Sequence, residues 1–248
     1  MFPHYNIHFM PEHLVKVGIH GKQDTKKVSE RHINEFYDVW VKIIATLEVP
    51  EYLEKLGQSK YYFLNLIYEN LKSTTLFVKC APDLEERMNS IKKESVELAK
   101  QKSVSVIIPF HNGIERLIKA VDSVLSQTHK KFEILLINDK STDSLQQIEQ
   151  VIKKNSNIKL IHNNEAKGVG AACNLGMDNA NGDYIVFLNP NDTFEKTKLE
   201  QHLYFAILNN ANFSCTNYKH FGDGERLIQL YHLANIPKST VLLSKKIY

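Results

Sequence analysis

The stretch Val104-Ser105-Val106-Ile107-Ile108-Pro109 decides the fold. It is a continuous apolar run of strand type that ends in Pro109. The same signal returns at Phe132–Ile137 (FEILLI), Ile158–Ile161 and Tyr184–Leu188. Helical periodicity fills the gaps. Ile114–Gln127 turns Leu117, Ile118, Val121, Val124 and Leu125 to one side. A second helix carries Leu145, Ile148, Val151 and Ile152, with Asp143 expected as its cap. Ala171–Ala180 and Leu199–Leu208 read as further helices, Phe213–Tyr218 and Thr240–Leu243 as further strands. Strands that are apolar throughout, alternating with helices, predict an α/β domain whose largely parallel sheet is covered on both faces. In such sheets ligands bind beyond the carboxyl ends of the strands. Function is therefore expected in the segments that follow each strand.

Working outward, the chain changes character near residue 102. Residues 1–101 are expected to form a mainly helical region and residues 102–248 the α/β domain. Ile33, Phe36, Tyr37, Trp40, Ile43, Ile44 and Leu47 share one helical face, with Ser29 as cap and Pro50 beyond the end. A second helix covers Tyr61–Lys72. A third is expected to start at Asp83, with Glu86 as its capping-box partner. The aromatic residues Trp40, Tyr61, Tyr62, Phe63 and Tyr68 read as helical core rather than a ligand-stacking surface. His4, His8, His13 and His20 do not make a metal site, because Pro3 and Pro11 flank the one i,i+4 pair.

Bulk composition narrows the function classes. A net charge of +3, with lysine pairs scattered along the chain, gives no basic stripe, so nucleic acid is not an expected partner. The three cysteines stand far apart and suit a reducing compartment. No signal peptide and no membrane-spanning run is evident, so a cytoplasmic location is expected, with the inner face of the membrane as a place of work. The helical region is the expected means of contact with a membrane surface or a protein partner.

The four segments at the strand ends are Pro109-Phe110-His111-Asn112-Gly113, Asn138-Asp139-Lys140-Ser141-Thr142-Asp143, Asn163 to Gly170 (NNEAKGVG), and Asn189-Pro190-Asn191-Asp192. Each alone is a turn composition. Together, VSVIIPFHNG, SVLSQTHKKFEILLINDKSTD, NEAKGVGAACNLG and NGDYIVFLNPND resemble, in order and spacing, the nucleotide-sugar-binding half of an inverting family 2 glycosyltransferase with the GT-A (Rossmann-like) fold. The resemblance covers Ser103 to about Tyr248.

That resemblance implies a transfer of a hexosyl or N-acetylhexosaminyl group from a nucleotide-diphosphate sugar, most simply a UDP-sugar. The acceptor it implies is a glycan or cell-surface polymer, as in polysaccharide biosynthesis. By the family pattern Pro109, His111 and Asn112 line the base and ribose pocket, with His111 in place of the usual Tyr. Asp139 contacts base or ribose, Gly168 and Asn174 match the segment near the diphosphate, and Asn189, Asn191 and Asp192 occupy the metal motif. Two departures stand out. Cys173 replaces an Arg, and Asn189 and Asn191 replace Asp, which leaves Asp192 as the one carboxylate. Mg²⁺ or Mn²⁺ is the implied cofactor, with Asn191 and Asp192 as ligands; an Asn carbonyl can bind a hard cation but brings no charge. The catalytic base of the family lies farther along the chain, and Gly222-Asp223-Gly224 reads as a turn rather than a source of one. Two readings follow. One is the donor half of a longer enzyme; the other is a catalytically degenerate GT-A domain kept for nucleotide binding or partner assembly.

Overall fold

The computed structural model describes residues 38, 39, 42, 59–72, 77–164, 168–220, 226–228 and 238–247. Asp38, Val39 and Lys42 are helical, as the first predicted helix requires; the rest of that helix, the four N-terminal histidines and the Gly222–Gly224 turn lie outside the described residues. Contacts divide the chain into two units, Met1–Ile91 and Lys92–Tyr248.

In the first unit, helix α1 (Lys60–Leu71) starts at Ser59, whose Oγ accepts a hydrogen bond from Tyr62 N at 3.0 Å. Helix α2 (Phe77–Gln101) starts earlier than the capping box at Asp83 predicts and carries Pro82 inside it. Tertiary packing explains the difference. Cys80 and Leu84, on either side of Pro82, are buried against Leu64 and Met88, and that burial holds the turn helical despite the missing N–H. Tyr61, Phe63 and Tyr68 pack on this core as expected, whereas Tyr62, also expected in the core, is exposed because it lies on the outer side of α1; Trp40 lies outside the described residues. The division between the units falls inside α2 rather than at its end.

The second unit is built on a sheet of order β3-β2-β1-β4-β8-β5. Strands β1 (Val104–Phe110), β2 (Phe132–Asn138), β3 (Ile158–His162) and β4 (Tyr184–Phe187) are parallel to one another. Strand β8 (Val241–Ser244) runs antiparallel between β4 and β5 (Phe213–Cys215). The predicted strand at Phe213–Tyr218 divides into β5 and β6 (Tyr218–His220), and β6 pairs antiparallel with β7 (Arg226–Ile228).

Strand periodicity sorts the core into two layers. Val104, Val106, Ile108 and Phe110 face a layer made by helices α3 (Ile114–Leu125), α4 (Gln146–Lys154) and α6 (Lys198–Leu208). Ile107 faces the other layer with Leu135, Ile137, Ile185 and Phe187, where helix α5 (Val169–Asp178) contributes Ala172 and Cys173. Helix α5 sits so close that a Cβ at Gly176 would lie 2.4 Å from Ile107 Cγ2. Successive strands step from β1 to β3 in one direction, and β4 then returns to the far side of β1. The topological switch point is thus between β1 and β4, and its carboxyl edge is where a ligand crevice belongs.

The opposite edge of the sheet is closed by charge-assisted hydrogen bonds. The Asp183 carboxylate accepts from Ser103 N and Ser103 Oγ, both at 2.9 Å, and these bonds hold it below its ordinary range. Burial pushes the Glu133 carboxyl up, but donation from Asn181 N, Ser105 Oγ and Lys159 outweighs it and the net shift is downward. From the start of α6 runs a polar chain that periodicity does not announce, leading from half-buried Lys198 to buried His202 and Ser214. Lys198 Nζ is 2.8 Å from His202 Nδ1, and His202 Nε2 is 2.9 Å from Ser214 Oγ. Burial pulls the Lys198 ammonium down to about 7; burial and then the Lys198 charge pull His202 down to about 3.

Candidate functional site

Parallel register fixes which loops meet. Phe110 is level with Asn138, and Asn138 with His162, so the residues that follow emerge side by side. The ladder runs on into the loops: Asp139 N donates to Phe110 O at 2.9 Å, Asn163 N to Asn138 O at 2.9 Å, and Leu188 N to Ile107 O at 3.0 Å.

The loops after β1 and β2 are knitted together. Asn112 and Lys140 take left-handed backbone conformations, with φ of 58° and 57°, and Gly113 follows at 77°. Asn112 N donates to Ser141 Oγ at 2.8 Å, and Asn112 Oδ1 accepts from Thr142 N at 2.7 Å and Asp143 N at 3.2 Å. The carbonyl of Asn112 is therefore engaged within the protein, where the resemblance has it lining the pocket. Asp143 does not cap its own helix, as the sequence reading expects. The N-cap of α4 is Leu145, with no side-chain cap, while Asp143 Oδ2 accepts from Gly113 N at 2.6 Å. The carboxylate serves the start of α3 instead, where the helix dipole favours negative charge.

His111 is exposed, and its Nδ1 lies 2.8 Å from Asp139 O. A carbonyl only accepts, so Nδ1 carries a proton; in the neutral ring Nε2 is then the acceptor, and Asn112 Nδ2 faces it at 3.5 Å. Asp139 is half-buried; its Oδ1 accepts from Asn163 Nδ2 at 2.7 Å, and its Oδ2 has no partner among the described residues. Pro109 is buried in β1.

The β4 loop is self-closed. Asn189 Oδ1 accepts from Asn191 N at 3.0 Å, and Asp192 N donates to Asn189 O at 2.9 Å, which makes an Asx turn of the amide residues. Asp192 Oδ2 accepts from Ser239 Oγ at 2.6 Å; its Oδ1 and the side chain of Asn191 have no partner among the described residues. Among the described residues no three His, Cys, Asp or Glu side chains gather as a metal cage. Gly168 caps α5 with φ of 86°, and Asn174 is exposed on that helix; neither shares a hydrogen bond with the other loops among the described residues. Cys173 is buried in the layer with Ile107, so the position that carries Arg in the family pattern faces the sheet here.

Two anchoring residues escape the sequence reading. Asn163 could have been found from register, because it stands opposite Asp139 once Asn138 is paired with His162. Ser239 could not, because it reaches Asp192 only through the antiparallel pairing of β8 with β4.

The family model described as Glycosyl transferase family 2 matches residues 105–247, which takes in all four loops and the sheet apart from Val104. This chain belongs to glycosyltransferase family 2. An uncharacterized glycosyltransferase of Rickettsia felis is 38% identical over 226 residues, covering 91% of this chain and 36% of that protein. The chain thus spans about a third of the length of that relative. The Escherichia coli protein named UDP-Glc:alpha-D-GlcNAc-diphosphoundecaprenol beta-1,3-glucosyltransferase WfaP is 38% identical over 115 residues, 46% of this chain and 45% of that protein. Among solved structures, Staphylococcus aureus TarS 1-349 superposes with a TM-score of 0.51 at 20% identity, over 58% of this chain and 48% of that one. This likeness carries the GT-A fold. Among the described residues no helix is long and apolar enough to cross a membrane.

Proposed function

We propose that residues 102–248 form the donor-binding part of a glycosyltransferase that moves a hexosyl or N-acetylhexosaminyl group from a UDP-sugar to a glycan or cell-surface polymer. Residues 1–101 are the helical part, which meets a membrane surface or a protein partner. The observation that carries the reading is a carboxylate on each side of the carboxyl end of β1, Asp139 after β2 and Asp192 after β4. Asp139 and Asp192 each have one oxygen anchored by a neighbouring loop and the other without a partner among the described residues. A carboxylate held in this way is ready to accept from a ribose hydroxyl or a base N–H, or to bind a cation.

In this reading Asp139 Oδ2 takes the base or ribose, and the exposed His111 ring, with Nε2 as acceptor, lines the same pocket. Asn191 and Asp192 face the diphosphate. Among the described residues their donor set is one carboxylate oxygen and one amide without partners, which does not build a cage but fits a Mg²⁺ or Mn²⁺ ion that takes its remaining ligands from water and phosphate. A cation bound there supplies neutralisation of the leaving diphosphate. Work at the cytoplasmic face of the membrane suits a family that includes an enzyme named for a diphosphoundecaprenol acceptor.

The test is a calorimetric titration with UDP, with and without Mn²⁺. Saturable binding that tightens with Mn²⁺ is expected. Absence of binding to any nucleoside diphosphate refutes the donor-site reading and leaves a GT-A domain kept for partner assembly.

A further inference from the structure

The residue that holds Asp192 belongs to none of the four strand-end loops. Ser239 sits in the 3₁₀ turn Lys238–Thr240, directly before β8. Because β8 runs antiparallel to β4, with Val186 level with Leu242, the start of β8 lies beside the carboxyl end of β4. The turn is fixed from behind: Thr240 is buried, and its carbonyl accepts from Thr216 N at 3.1 Å.

Two bonds define the role of the hydroxyl. Asn189 N donates to Ser239 Oγ at 3.0 Å, and Ser239 Oγ lies 2.6 Å from Asp192 Oδ2. A serine hydroxyl has one proton. With Asn189 N already the donor in the first bond, that proton goes to the carboxylate, and the length is that of a charge-assisted O–H···O⁻ bond. Asp192 N is held separately by Asn189 O at 2.9 Å. Backbone and carboxylate are thus both fixed, and Oδ1 is the oxygen left for a ligand.

We propose that Ser239 is a positioning residue for the donor site: it holds the one carboxylate of the Asn189–Asp192 loop with Oδ1 presented to the cation and diphosphate, and locks that loop to the segment entering β8. The inference rests on the donor-site reading. It matters more here than in a loop with several carboxylates. A single charged ligand has no neighbour to compensate for its misorientation, and partners of this kind typically change metal affinity about 10–100-fold when removed.

The test compares UDP affinity with and without Mn²⁺ in the wild-type chain, Ser239→Ala and Ser239→Thr. The expected result is that Ser239→Ala keeps metal-free UDP binding but loses about 10-fold or more in the Mn²⁺-dependent gain. Ser239→Thr, which keeps the hydroxyl, restores it. Two outcomes overturn the inference: an undiminished Mn²⁺ gain in Ser239→Ala, or an equal loss with and without Mn²⁺ alongside a lowered midpoint, which marks a purely structural residue. Failure of the wild-type chain to bind UDP at all is a different result. It refutes the donor-site reading itself and takes the inference with it.

Discussion

Replacing Asn191 by Asp restores a second carboxylate to the β4 loop, and the structure sets the size of the effect. Asn191 is exposed; its backbone N is held by Asn189 Oδ1, and its side chain has no partner among the described residues. The exchange therefore leaves the loop bonds in place and changes charge alone. Two unit charges 4 Å apart attract by about 4 kcal/mol at an effective dielectric of 20 and about 1 kcal/mol in water, and a dication doubles either figure. Exposure puts Asn191 near the water limit, and partial desolvation of the new carboxylate subtracts further. The net expectation is about 1–2 kcal/mol, or roughly 5–30-fold tighter UDP binding in the presence of Mn²⁺. Without metal the sign reverses, because an added carboxylate then faces the diphosphate directly. Calorimetric titration with and without Mn²⁺ reads both. An unchanged affinity in both conditions, or tighter binding without metal, refutes the reasoning.

Three other outcomes follow from particular contacts. Asn163→Ala removes the 2.7 Å bond to Asp139 Oδ1 and should weaken UDP binding by about 1 kcal/mol, read by thermal shift with the nucleotide; unchanged affinity removes Asn163 from the site. Gly176→Ala drives a Cβ to 2.4 Å from Ile107 Cγ2 and should destabilise the fold by about 1–3 kcal/mol; an unaltered calorimetric midpoint contradicts the close seat of α5 on β1. Stability should rise with pH through two windows. Lys198 is neutral in the folded chain above about 7 while an unfolded lysine keeps its proton to about 10.4, so stability grows between these values. His202 stays neutral down to about 3 while an unfolded histidine protonates near 6.5, so stability falls as pH drops below that value. Urea midpoints from pH 5 to about 10 test both. Lys198→Met should flatten the alkaline rise, and a rise that persists in that variant contradicts the assignment.

The order of strands and helices was legible because apolar runs and 3.6-residue stripes report burial directly. VSVIIP, FEILLI and the Leu117–Val124 stripe became β1, β2 and α3 with their faces as read. Local cap signals were weaker. Asp83 and Glu86 make a good capping box, but the burial of Cys80 outweighs it; Asp143 has cap chemistry but reaches a different helix. The site was legible as a set of loops and illegible as a set of bonds. The carbonyl of Asn112 turns inward to the loop after β2, and Cys173 turns to the sheet. Ser239 enters through a strand that sequence order places far from β4 but topology places beside it. Contacts of that kind depend on register between strands distant in sequence, which no local pattern encodes.

The central claim is that UDP binds at the carboxyl ends of β1, β2 and β4. Amide hydrogen exchange with and without UDP and Mn²⁺ tests it most directly, because it reports where binding occurs as well as whether it occurs. The account predicts added protection at Phe110–Asn112, Asp139–Thr142 and Asn189–Asp192, with the last segment protected only when Mn²⁺ is present. Protection confined to the opposite edge, around Asn181–Tyr184, or no change in any segment at saturating UDP, contradicts it.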